Sequence, residues 1–209
     1  MANVFGAEFR RVEDREHLGK PALVAVAIRS YDTTVDDLWE ALTSPERLAR
    51  WFLPVEGELK VGGRYQLKGN AGGTITRCHP PEALDLTWEY GGGMSWVNLR
   101  LTPDGRRARL TLEHIAHRDG IGEEHMKKFG PGAVGIGWDL TLHGLERHFT
   151  DTRATQDPAA FMAWTQSSEG KAFIHASGDA WGAAHAAAGE DPTDARAKAE
   201  RTIAFYTGG

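Results

Sequence analysis

The sequence predicts an α+β domain: a curved antiparallel sheet folded around one long helix, followed by a helical appendage. Three features carry this expectation. First, a glycine-rich approach at 129–137 runs into a long helical pattern in which Trp138, Leu142, Leu145 and Phe149 share one stripe, while Ile136 and Leu140 fall nearly opposite. A helix apolar on two sides is sandwiched, so a sheet is expected against one face and a later segment against the other. Second, between Val55 and Ile115 the apolar period shortens from helical to alternating, with glycine or proline clusters punctuating it, as antiparallel strands require. Third, the chain after Asp151 turns alanine-rich and helical. The implied organisation is an N-terminal extension over 1–20, the sheet-and-helix domain over 21–150 and a helical extension over 151–209.

The elements follow in order. Phe5, Phe9 and Val12 are the apolar points of a charged segment that reads as an outer strand. Leu23-Val-Ala-Val-Ala-Ile28 is a strand buried on at least one face. Thr34-Val-Asp-Asp37 has a capping-box layout and opens a short amphipathic helix bearing Val35, Leu38, Trp39 and Leu42. Ser44-Pro45 opens another, with Ser as N-cap and Pro in the first turn, and Pro54 closes it. In the meander, Tyr65 and Leu67 share a strand face. Leu84, Leu86, Trp88 and Tyr90 share one in the next hairpin, then Val97, Leu99 and Leu101, then Leu110, Leu112 and His114. Pro103-Asp104-Gly105 supplies a turn, because Pro presets φ and Gly accepts φ > 0. In the tail, Asp157-Pro158, Glu169 and Asp191-Pro192 begin three further helices. Their alanine faces suit close packing, either on the Ile136/Leu140 side of the long helix or against a second copy of the chain as a homodimer.

The chain has 209 residues and a formal net charge of −5 with both signs interspersed, which leaves no footprint for nucleic acid or for a membrane surface. Cys78 is the single cysteine, so no internal disulfide forms, and a reducing, cytoplasmic setting is expected. A small buried residue near a strand end is its simplest role. The start of the chain lacks the basic-then-apolar pattern of a signal peptide, and no apolar run approaches the ~20 residues of a membrane span.

The order strand, two short helices, meander and closing helix describes a helix-grip. Thr34 to Phe52, Gly62-Gly63 before Tyr65, Pro80-Pro81-Glu82 before Leu86-Thr-Trp-Glu89, Leu110-Thr-Leu-Glu-His114 and Gly137-Trp138-Asp139 together resemble the START-like (SRPBCC) superfamily. Within it they are similar to the stand-alone bacterial homologues of the activator of the heat-shock-protein-90 ATPase. The resemblance spans about 21–150 and implies the fold; folds of this kind host carriers, cyclases, hydroxylase domains and co-chaperone modules. The eukaryotic activator uses an additional N-terminal domain to engage the chaperone, and the segment before Leu23 is too short to supply it. A chaperone partner is therefore the alternative rather than the leading expectation.

A sheet curled around a helix leaves room for a ligand between them. The lining expected from strand parity and helix position is Trp51, Tyr65, Trp88, Tyr90, Trp96, His114, Trp138 and Leu142, with Trp96 entering only if its strand is bulged after the triple glycine. Each aromatic has the plainer reading of a core filler. His114, a neutral imidazole on a dry face, suits a bond to a ligand carbonyl or hydroxyl, an acid–base role, or the plainer part of a satisfied structural histidine. His114, His117, Glu124 and His125 do not form a zinc pattern, so no metal is expected. Gly130-Pro-Gly-Ala-Val-Gly135 spells a dinucleotide fingerprint without the βαβ unit that gives it meaning, so no cofactor is expected either. Those glycines suit a mobile or closely packed entrance, with helix-start amides available to an anionic group. Nucleophile elbow and phosphate loop are lacking. The leading expectation is a non-catalytic binder of a small hydrophobic or aromatic molecule. The alternatives are a protein-interaction module of the chaperone-activator kind and an acid–base enzyme of the cyclase/aromatase type.

Overall fold

The structure, a computed structural model, describes residues 6–119, 123–151 and 157–208; Phe5 lies outside them. β1 (Phe9–His17) and β2 (Lys20–Tyr31) form a hairpin. Two short helices, α1 (Val35–Thr43) and α2 (Pro45–Trp51), then lead into β3 (Val55–Gly57), β4 (Arg64–Leu67), β5 (Gly72–His79), β6 (Ala83–Tyr90), β7 (Gly93–Asp104) and β8 (Arg107–His117). All eight strands make one antiparallel sheet in the order β1-β2-β8-β7-β6-β5-β4-β3, so β2 and β8, remote in sequence, pair next to its β1 edge. The sheet is curved and its concave side holds a long helix, which is the helix-grip arrangement.

Local chemistry places each piece. The Thr34 hydroxyl accepts from the Asp37 amide at 3.2 Å and Ser44 from the Arg47 amide at 3.3 Å, so both short helices start at side-chain caps. β2 is apolar from Ala22 to Ile28 because both its faces are covered there. Leu23, Ala25 and Ala27 join the core under the long helix, whereas Ala22, Val24 and Val26 pack on the other face with Trp96 and Ile115.

After β8 come α3 (Glu123–Phe129) and the long α4 (Gly132–Thr150). Trp138, Leu142 and Leu145 face the sheet. Ile136 and Leu140, on the other side, pack against Phe173, Ile174 and Ile203. These come from the appendage, whose helices are α5 (Pro158–Gln166), α6 (Ser168–Ala187) and α7 (Pro192–Thr207). The appendage thus covers the second apolar side of α4. The approach is close: a Cβ on Gly135 would lie 2.3 Å from the Trp181 ring, and one on Gly178 2.3 Å from Ile203. The glycines before Trp138 consequently belong to the first turns of a packed helix, and the mobile-entrance alternative gives way to the closely packed one. No helix among the described residues is long and apolar enough to cross a membrane.

One buried carboxylate ties the three layers together. Asp139 of α4 accepts the Ala7 amide at 2.8 Å, the Arg10 Nε–H at 2.8 Å, the Trp181 Nε1–H at 3.0 Å and the Ser177 hydroxyl. Burial pushes this carboxyl up, while Arg10 and the donated hydrogen bonds pull it back. Removing one member of a buried ion pair typically costs about 3–5 kcal/mol. Asp139→Ala is expected to lose about that much in chemical denaturation and roughly 10 °C in Tm. A loss below about 1 kcal/mol would show that the junction is held by apolar packing alone.

Candidate functional site

Between the sheet and α4 the side chains leave two chambers. The first, of about 160 Å³, is walled by Trp51 and Phe52 at the end of α2, by Tyr65, Ile75, Leu84, Leu86, Trp88, Val97, Leu99, Leu110 and Leu112 from the strands, and by Trp138, Thr141, Leu142 and Leu145 from α4. Its mouth is marked by Leu59, which is 42% exposed, and by the exposed Cys78. A register shift between Ile75 and Arg77 sets Cys78 opposite Leu84 rather than on the outer face. The thiol therefore overhangs the chamber at a strand end, and the expectation of a buried cysteine is corrected.

This chamber is dry by construction. The Trp51 Nε1–H donates to the Ala41 carbonyl at 2.9 Å, the Tyr65 hydroxyl to the Thr87 carbonyl at 2.7 Å, and the Trp138 Nε1–H to His114 Nδ1 at 2.9 Å. The Thr43 and Thr141 hydroxyls donate to the Trp39 and Gly137 carbonyls of their own helices at 2.7 and 2.9 Å. Burial pushes the Tyr65 hydroxyl well above its ordinary range. The wall therefore offers carbon and aromatic faces, and these donors are already spent.

The second chamber, of about 480 Å³, lies at the other end of α4. Trp88 borders both chambers, and its ring centroid lies 5.1 Å from that of Trp138 and 6.5 Å from that of His114. These rings form the partition between the two spaces. Beyond it the second chamber is bounded by His114 and Ala116 of β8, by Met126 of α3, by Ala133 and Val134 in the first turn of α4, and by His185, Glu190 and Lys198 of the appendage. Glu190 is held by Lys198 at 2.8 Å and by His185 at 3.1 Å, and the Lys198 ammonium keeps its carboxyl below the usual range.

Of the eight residues expected to line a cavity, Trp51, Tyr65, Trp88, Trp138 and Leu142 surround the first chamber. His114 is on the inward face but borders the second chamber. One placement is corrected. Trp96 is on the convex face, packed at a tilt between His17 and His117 with ring centroids 4.6 and 4.5 Å away, because β6 and β7 pair without a bulge from Tyr90↔Gly93 onward and strand parity holds. Tyr90, 65% exposed, lines the second chamber at its rim. Most of the first wall is aliphatic; Leu84, Leu86, Leu99, Leu110 and Leu112 were legible by alternation but carried no chemical signal. The appendage residues of the second wall carried none at all.

His114 and His117 sit an odd number of residues apart on one strand and so face opposite ways, and among the described residues no cluster able to hold a metal ion occurs. Because His114 Nδ1 accepts the Trp138 hydrogen, the neutral ring carries its own proton on Nε2.

The profile of the family described as Activator of Hsp90 ATPase homolog 1-like protein matches residues 32–150. The crystal structure of CalU16 from Micromonospora echinospora is similar at 32% identity and a TM-score of 0.65, over 84% of this chain and 96% of that one. The solution structure of CalU16 aligns over 99% of this chain and 96% of that one, at 29% identity and a TM-score of 0.64, so the similarity extends through the appendage. DynU16, described as a protein of the dynemicin biosynthetic locus, shares the fold at 21% identity and a TM-score of 0.54, over 64% of this chain and 49% of that one. None of the curated proteins matches.

Burial lowers the His114 pKa from 6.5 to about 4. A base held neutral in the fold contributes stability that is complete above the unfolded value of 6.5 and is lost as pH falls towards 4. At about 1.4 kcal/mol per unit, the whole window amounts to roughly 3 kcal/mol. Urea midpoints of wild type and His114→Gln, whose carbonyl still accepts from Trp138, are therefore expected to run parallel above pH 6.5 and to converge or cross as pH falls towards 4. Curves parallel over the whole range would contradict a buried neutral ring.

Proposed function

The chain belongs to the Activator of Hsp90 ATPase homolog 1-like family, and from that premise we propose that it binds a small apolar or aromatic molecule, without chemistry, in the chamber between sheet and α4. The observation that carries this reading is the spent wall: a space of about 160 Å³ bounded by Trp51, Trp88, Trp138 and aliphatic side chains, with its wall donors engaged within the protein. A dry apolar cavity of about 150 Å³ takes up a benzene-sized guest. The guest favoured here is therefore a single ring or a short branched hydrocarbon, with any longer portion leaving past Leu59 and Cys78. A polar guest would forfeit its hydration and gain no hydrogen bond in return.

An acid–base role for His114 is the weaker alternative. A ring that ionises near pH 4 is a poor base at neutral pH, and Nδ1, its basic nitrogen, is already taken by Trp138.

Toluene is a suitable probe. At about a hundredfold over its dissociation constant it is expected to stabilise the fold by about 2.7 kcal/mol, a rise of roughly 5–10 °C in Tm, and to quench the tryptophans that line the chamber. Leu86→Trp, which fills the chamber from its wall, is expected to abolish both effects while the protein stays folded. No shift with wild type at saturating toluene, or an undiminished shift in Leu86→Trp, would overturn the reading.

A further inference from the structure

The second chamber differs from the first in that a donor without a partner among the described residues faces it. His114 is 7% exposed, its Nδ1 is engaged by Trp138, and its Nε2–H has no acceptor among the described residues. The Nε2 is not sealed off from the chamber, so a guest's oxygen can reach its N–H and accept from it. We propose that this chamber is a separate binding site for a fused-ring aromatic carbonyl compound, whose oxygen accepts the His114 Nε2–H while its rings lie against Trp88, Met126 and Val134.

Three further observations select that chemistry. A volume of about 480 Å³ falls in the range of small-molecule sites, whereas the first chamber is below it. The start of α4, which has no side-chain cap, forms part of the same wall at Ala133 and Val134, and the positive end of its dipole favours an oxygen acceptor over a donor. The charges at the mouth are mutually matched: Lys198 with Glu190, Lys127 with Glu124, and Arg118 with Asp14. Those cations already face carboxylates, so a buried carboxylate on the guest would lack a dedicated counter-charge; a neutral carbonyl needs only the one donor. His185, Glu190 and Lys198 come from beyond residue 150, where the family profile ends, so the site is a composite of the family domain and the appendage.

The test uses 2-acetylnaphthalene and 2-ethylnaphthalene, which are close in shape and differ in the carbonyl. Wild type is expected to bind the ketone about fivefold more tightly by fluorescence titration, the size of one typical net hydrogen bond. His114→Phe is expected to bind the two equally. Because that variant also strands the Trp138 N–H, wild type supplies a second readout. The His114 Nε2 proton is expected to move downfield in NMR with the ketone and to stay put with the hydrocarbon. Ala116→Phe, which fills this chamber, should remove ketone binding, while Leu86→Trp, which fills the other, should leave it intact. Equal affinities in wild type, an unmoved Nε2 proton, or loss of ketone binding in Leu86→Trp would each overturn the second site; the toluene result is independent of all three.

Discussion

The arrangement rests on one buried carboxylate. Asp139 is fully buried on α4, yet it is surrounded by donors from the residues before β1, from β1 and from α6. A charge in that position is tolerable only while several donors point at it, and those donors come from segments far apart in sequence. Satisfying Asp139 therefore obliges the N-terminal strand, the long helix and the appendage to meet at one place. Nearby contacts extend the same junction: Arg29 pairs with Glu146 at 3.1 Å and also donates to the Gly6 carbonyl. The Tyr31 hydroxyl donates to the Leu142 carbonyl at 3.3 Å and fixes the same C-terminal end of β2 against the helix.

With α4 pinned, the space beneath it is divided by chemistry rather than by backbone. Trp88, His114 and Trp138 meet with Trp138 centroids 5.1 and 5.8 Å from the other two, and the single hydrogen bond among them consumes the Trp138 donor and the His114 acceptor. On one side of this partition polar side chains point their hydrogens back into the protein. On the other, the imidazole presents a hydrogen outward. The same bond thus makes one chamber indifferent to polarity and leaves the other with a single directional preference. His114 itself stays neutral because burial disfavours its charged form.

Much of this was legible in the sequence, and the misses have physical causes. The two apolar sides of α4 announced two partners, because a helix cannot leave either stripe in water. Thr34 and Ser44 announced helix starts through cap chemistry, and both caps are present. Parity placed Leu110, Leu112 and His114 inward, and parity itself excluded Trp96; the expected bulge was needed only to rescue an aromatic that belongs outside. A bulge did occur, between Ile75 and Arg77, where no glycine marked it, and it moved Cys78. Tyr90 lines the second chamber as parity placed it, but at its exposed rim, and alternation carries no information about where cover ends. The size of the chambers, and the arrival of Lys198 and Glu190 beside one of them, depend on how helices dock, which composition does not encode.

The appendage is best understood from what α4 would be without it. Ile136 is fully buried and Leu140 nearly so, both against α6 and α7 rather than the sheet. Exposing such side chains costs about 1.5–3 kcal/mol each. Residues 32–150 alone would therefore end on a helix with an apolar back and an unsatisfied Asp139. The appendage also fastens the turn that leads into α4: the Arg201 Nε–H, the Thr202 hydroxyl and the Tyr206 hydroxyl donate to the carbonyls of Lys128, Phe129 and Ala133 at 2.8, 2.8 and 3.0 Å. Those carbonyls belong to the end of α3 and the start of α4, which border the second chamber. The contacts that stabilise the back of the helix therefore also set the shape of the chamber at its front, so a change in how α7 docks would alter that chamber before it reached the dry one.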